Sequence, residues 1–122
     1  MEPLAVRKKK TRLIVRQGKE HIALRIEDIA VIYRDNFQVV AVDRDERTYI
    51  CEKNLSALEE DLDETQFFRA NRQYLVNSAY IRGFRPVAKV KLEIFLTLPS
   101  CAHRIIVSQE CAPLFRKWIA EE

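Results

Sequence analysis

Between Lys89 and Thr97 polar and apolar residues alternate almost without a break. Val90, Leu92, Ile94 and Leu96 fall on one side of an extended chain, and Lys89, Lys91, Glu93, Phe95 and Thr97 on the other. Side chains on a strand alternate with a period of two, so this stretch reads as a strand with one face buried. A one-faced strand belongs in a sheet with a wet side, and such sheets are characteristically antiparallel.

The rest of the chain repeats the signal in shorter pieces. Leu13 and Val15 share a face, Gly18 breaks the run, and Ile22 and Leu24 resume it, which predicts a hairpin. Ile29 to Arg34 is apolar and β-branched, as a buried strand should be. A turn over Arg34-Asp35-Asn36-Phe37-Gln38, with one exposed aromatic candidate, leads to a strand over Val39–Val42. A second turn over 43–46 leads to a strand over Thr48–Cys51. Leu55, Leu58 and Leu62 then fall on one helical face, behind Asn54 as N-cap. Strands are expected at Phe67–Ala70, Tyr74–Val76, Tyr80–Phe84 and Arg104–Val107, with a bulge or bend at Gly83. Leu114, Phe115, Trp118 and Ile119 mark a closing helix, with Pro113 in its first turn. About ten short strands, two short helices and no βαβ spacing give a mostly β, antiparallel fold.

Composition removes several function classes. A chain of 122 residues is one domain by size, and 48% hydrophobic with 32% charged residues is globular. No apolar run approaches the roughly 20 residues of a membrane helix. Residues 1–10 read as a basic linker or tail, unlike a signal peptide, so the cytoplasm is the default compartment. Three cysteines, Cys51, Cys101 and Cys111, are an odd number without a C-x-x-C pair and suit a reducing compartment. Cys101-Ala102-His103 is at best half a metal site, and His21 stands alone. Glu59-Glu60-Asp61 are consecutive and cannot converge on one cation from a helix. There is no Gly-rich phosphate loop, no nucleophile beside a plausible His and no placeable acid–base pair. No enzyme, cofactor or metal is expected.

Net charge is only +3, so the distribution says more than the total. Basic residues cluster at 7–12 and at Arg82, Arg85, Lys89 and Lys91, whereas acids gather at 59–64 and at the C-terminus.

Into this β framework is set the stretch Phe67-Phe68-Arg69-Ala70-Asn71-Arg72-Gln73-Tyr74-Leu75-Val76-Asn77. Asn71-Arg72-Gln73 is a polar corner between apolar anchors, and Asn71 suits a turn because its amide can bond its own backbone. The side chains held out there make forked hydrogen bonds to bases and phosphates well. A strand–turn–strand with a solvated tip would look the same. Together with Tyr80-Ile81 and Ile106-Val107-Ser108, the stretch resembles the signature of the LytTR family of DNA-binding domains, roughly F-x-R-x-H-R-S-Y-L-V-N-x-x-x-I. The likeness runs over about residues 10–120. Asn71 stands where the family usually has His, Gln73 where it has Ser, and Gln109 where it often has Arg.

The resemblance implies an elongated arrangement of small antiparallel β-sheets that places loops in the major groove. Residues 1–10 would be the linker and 11–122 the DNA-binding domain. It implies sequence-specific binding of double-stranded DNA, at paired direct repeats, as the effector part of a bacterial two-component response regulator. An upstream receiver domain would supply most of the dimerisation. Mapped onto this chain, base contacts fall to Asn36, Asn71, Arg72 and Gln109. Phosphate contacts fall to Arg34, Arg69, Gln73, Lys89, Lys91 and Ser108. Arg69 could equally bond the turn from behind, and the 34–38 turn could be a plain hairpin. The departures at Asn71, Gln73 and Gln109 suggest a different target sequence. The competing class is a protein-interaction or ligand-sensing β domain without DNA readout.

Overall fold

The computed structural model describes residues 10–99 and 103–120. Within the described residues ten strands form two antiparallel sheets. The larger contains β1 (Arg12–Gln17), β2 (Glu20–Arg25), β3 (Ile29–Asp35), β4 (Gln38–Asp43), β5 (Thr48–Cys51), β6 (Phe67–Arg69) and β7 (Tyr74–Asn77), in the order β2-β1-β5-β4-β3-β7-β6. The smaller contains β8 (Ile81–Val87), β9 (Lys91–Leu96) and β10 (Ile105–Val107), in the order β10-β9-β8. Helix α1 (Leu55–Asp61) separates β5 from β6, and α2 (Ala112–Ala120) ends the described chain.

The continuous apolar run in β3 follows from its place in the large sheet. Ile29, Ala30, Val31 and Ile32 are all fully buried. Ile32 pairs with Leu75 and looks into a core shared with Leu13, Val15, Leu24 and the three leucines of the α1 region. Val31 pairs with Val76 and looks into a second core, built from β9, β10 and α2 around Phe115. The large sheet is thus covered on both faces, by α1 on one and by the small sheet with α2 on the other. A central strand so placed has no wet side, and its sequence stops alternating.

Local chemistry fixes the joints. Asn54 Oδ1 accepts from the Ala57 N–H at 2.8 Å, the expected N-cap of α1. Asp43, buried at the end of β4, accepts from the Asp45 and Arg47 N–H groups and from the Tyr49 hydroxyl, which holds the β4–β5 turn. Asn77, also buried, donates to the Ile29 carbonyl at 2.7 Å and accepts from Ala79 N–H at 3.0 Å. It ties β7 to the start of β3 and caps the turn into β8. Burial pushes the Cys51 thiol up to about 12, so it is inert packing.

The hairpin at Gly18, with φ +61°, is formed as expected, and the register of β8 against β9 slips beside Gly83. Three details of the expected pattern are corrected. β9 begins at Lys91, so Lys89 and Val90 lie in the β8–β9 turn, entered through Ala88 at φ +51°, and Val90 is exposed. Glu93, on the expected wet face, is buried between two arginines. Leu114 points to solvent, because the packed stripe of α2 runs through Ala112, Phe115, Trp118 and Ile119. The basic tail over 1–9, the turn residue Ser100, Cys101-Ala102 and the acidic end Glu121-Glu122 lie outside the described residues.

Candidate nucleic-acid interface

The polar corner is built by side chains that bond backbone. Asn71 Oδ1 accepts from the Gln73 N–H at 2.7 Å and the Tyr74 N–H at 3.1 Å, which closes the turn. Its Nδ2 donates to the Ile106 carbonyl at 2.6 Å, across 35 residues of sequence. One amide hydrogen is left over. Arg69 spends its guanidinium on the same turn. Nε donates to the Asn71 carbonyl at 2.7 Å, Nη2 to the Arg72 carbonyl at 2.9 Å, and Nη1 to Glu59 at 3.1 Å. With the two carbonyls taken from behind, the Arg72 and Gln73 side chains are exposed at the apex.

Two further segments meet this turn. Tyr33 pairs with Tyr74, so β3 runs out toward its hairpin tip alongside the turn. The Arg34 N–H donates to the Gln73 carbonyl at 2.9 Å, locking the two loops edge to edge. At the tip, Asn36 takes φ +57°, a conformation Asn tolerates better than most residues. Beside it Phe37 has 101% relative exposure. Arg34, Asn36 and Gln38 are exposed as well. On the other side the Ser108 N–H donates to the Ala70 carbonyl at 3.2 Å, and the Ser108 carbonyl receives the Cys111 and Ala112 N–H groups that open α2. Three segments distant in sequence, 34–38, 71–73 and 106–109, are therefore joined by hydrogen bonds into one surface.

The remaining expected residues sit around it. Arg69, Asn71, Arg72, Ser108, Glu110 and Cys111 line a shallow depression of about 290 Å³. Gln109 lies instead in a groove of about 450 Å³ between the β8–β9 turn and α2, which Lys89, Lys91 and Arg116 also line. Lys89 and Lys91 are thus brought to Gln109 rather than to Arg72.

The structure places two side chains beside this surface for which the sequence carries little signal. Phe37 was visible only as an exposed aromatic candidate, and its complete exposure at a left-handed tip is set by the β3–β4 register. His103, by spacing at best half of a metal site, packs against Tyr33 and Tyr74 of the large sheet. Its ring lies 4.3 Å from that of Tyr33, and its Nδ1 is 2.9 Å from the Tyr74 hydroxyl. An imidazole and a phenol separated by 29 residues carry no local signal of contact. Among the described residues, no group of His, Cys, Asp and Glu side chains could hold a metal ion. No helix there is long and apolar enough to cross a membrane.

A family model described as the LytTr DNA-binding domain matches residues 19–120. Among solved structures, the chain is similar to the LytTr DNA-binding domain of a protein described as a methyl-accepting/DNA response regulator from Bacillus cereus. The two share 20% identity with a TM-score of 0.79, over 90% of this chain and 97% of the other. No curated protein matches the chain.

Proposed function

The chain belongs to the LytTR family of DNA-binding domains, and from that premise we propose that it binds double-stranded DNA sequence-specifically through the surface built on 34–38, 71–73 and 106–109. The observation that carries the reading is the hydrogen-bonded convergence of those three segments. A readout surface needs side chains held out on a backbone that does not yield, since only preorganised groups discriminate between base edges.

Each residue then has a role. Arg72 reads a base, with the forked geometry that suits guanine O6 and N7. Asn36 and Gln109 offer carboxamides to the groove from either side. Asn71 chiefly sets the turn, with one amide hydrogen free for a base. Phe37 supplies the apolar contact that a thymine methyl accepts. Arg34, Gln73, Ser108, Lys89 and Lys91 meet phosphates, which give affinity with little sequence information. Arg69 braces the turn and adds positive charge close to the backbone.

In this reading loops, not a helix, enter the major groove, and the domain over 11–122 is the effector end of a bacterial two-component regulator. Two copies occupy paired direct repeats, brought together by a receiver domain upstream of a linker over 1–10. Neither cofactor nor metal takes part, and the protein works in the cytoplasm.

Selection from a random duplex library tests this directly. A recovered motif with two repeated half-sites supports the reading. A pool that stays random, with salt-insensitive binding to a protein partner, would assign the domain to protein interaction instead.

A further inference from the structure

The three-stranded sheet carries five basic side chains with its connecting turns, Arg82, Arg85, Lys89, Lys91 and Arg104, against the single carboxylate of Glu93. Lys89 and Lys91 already belong to the proposed phosphate contacts. The three arginines do not, and their arrangement is the more ordered one. Strand alternation puts Lys91, Glu93 and Phe95 on the face of β9 turned away from the core. Arg85 Nη2 lies 3.4 Å from one oxygen of Glu93, and Arg104 Nε lies 3.3 Å from the other. The Glu93 side chain is only 10% exposed, while those of Arg85 and Arg104 are 64% and 67% exposed. The guanidinium carbons of Arg82 and Arg85 stand 5.3 and 5.4 Å from the centre of the Phe95 ring.

We propose that this outer face is a phosphate-binding platform, on which Arg82, Arg85 and Arg104, set by Phe95 and Glu93, grip the DNA backbone beside the base-reading loops. The inference rests on the DNA-binding reading above. A carboxylate shared by two arginines neutralises one charge and leaves the other, along with most of the N–H donors, facing water. Stacking on Phe95 restricts two guanidiniums that would otherwise lose rotamer freedom on binding, so part of the ordering cost is met in the free protein.

Position supports the same partner. Ile106, whose carbonyl holds Asn71, pairs with Glu93, and Glu93 pairs with Arg85. One row of residues thus crosses the sheet from the anchor of the readout turn to the platform. Two strand spacings are roughly 10 Å, comparable with the ~12 Å width of a major groove. A turn entering the groove therefore brings the platform to the phosphates that border it. An acidic protein is the poorer fit. Protein interfaces centre on apolar anchors, but Phe95 is shielded by its arginines, the exposed large hydrophobics Ile14, Phe37 and Leu114 lie outside this sheet, and Val90 lies in its β8–β9 turn. Protein–DNA interfaces are polar and strongly basic, as this face is.

The test is a salt titration of binding to a mixed-sequence duplex, comparing the wild type, Arg82→Gln, and the triple variant Arg82→Gln/Arg85→Gln/Arg104→Gln. Each lost phosphate contact should flatten the plot of log K against log[salt] by about 0.9. Arg82→Gln should lose about that much, and the triple variant two to three times as much. Arg82 touches Phe95 rather than the buried carboxylate, so the single variant decides the matter if the triple variant fails to fold. A steep wild-type slope that Arg82→Gln leaves unchanged overturns the platform alone and gives the face to another partner. A wild-type chain with no salt-dependent duplex binding overturns the DNA reading and the platform with it.

Discussion

The turn at 71–73 and the hairpin tip at 36–37 lie side by side, yet they are held by different means. The turn is fixed by side chains: Asn71 and Arg69 between them make six hydrogen bonds, five to backbone groups and one to Glu59. Among the described residues the tip has no such brace. Its geometry comes from the β3–β4 ladder on either side, from Asn36 in the left-handed region, and from the single bond between Arg34 N–H and the Gln73 carbonyl. Side-chain bracing makes a surface stiff and intolerant of change at the bracing positions. A ladder leaves the apex residues free to vary without disturbing the fold. Stability and recognition should therefore separate differently at the two sites.

The largest expected effect is at Asn71. Asn71→Ala strips partners from the Ile106 carbonyl and from the N–H groups of Gln73 and Tyr74. It should cost about 2–3 kcal/mol, the scale of leaving partly buried polar groups unpaired, read as a lower urea midpoint with unchanged slope. Binding to all duplexes should fall together. Asn71→His should recover much of that loss, because a neutral imidazole offers one acceptor nitrogen for the turn and one donor for Ile106. If the His variant is as unstable as the Ala variant, the bracing account of this position is wrong.

Arg72→Ala sharpens the contrast within the turn itself. Stability should move by less than about 0.5 kcal/mol, since the side chain is exposed. Affinity for the selected site should drop by about 1–3 kcal/mol, and much less for random duplex. An equal loss on both duplexes would make Arg72 a phosphate clamp and move base readout to Asn36 or Gln109.

At the unbraced tip, Phe37→Ala should leave the melting curve in place. Binding to the selected site should weaken roughly fivefold, about 1 kcal/mol, the scale of losing a modest apolar contact. Full affinity in this variant would remove Phe37 from the interface.

The smallest effect belongs to Asn36→Gly, which keeps the left-handed backbone at little steric cost and should change stability by only a few tenths of a kcal/mol. Its effect on the selected site isolates the Asn36 amide from the turn that carries it. A stability loss comparable with that of Asn71→Ala would mean the tip is braced after all.

Where local pattern reflects local structure, the sequence was sufficient. The alternation in β1 and β2, the turn at Gly18, the leucine face and Asn54 cap of α1, and the slip near Gly83 are all statements about neighbours in the chain. The buried run of β3 was legible too, although which of its residues serves which core was not. The pattern misled at the ends of elements. Val90 continued the alternation into what is a turn, and Glu93 matched a wet face that two arginines close over.

Sequence by itself determined the class of fold, since a period of two with frequent turn residues leaves few alternatives to an antiparallel β domain. It also determined which short segments carry polar, fork-forming side chains. Tertiary structure alone decided what those side chains do. Asn71 and Arg72 are adjacent and equally polar, but one turns inward to a carbonyl 35 residues away and the other outward to solvent. Arg69, Arg72 and Arg85 carry the same group, yet one bonds the turn, one is exposed at its apex and one shares a buried carboxylate. The physical reason is that a long-range hydrogen bond depends on the relative placement of two backbones. That placement is fixed by the packing of two sheets across a common core, which no local window of sequence contains.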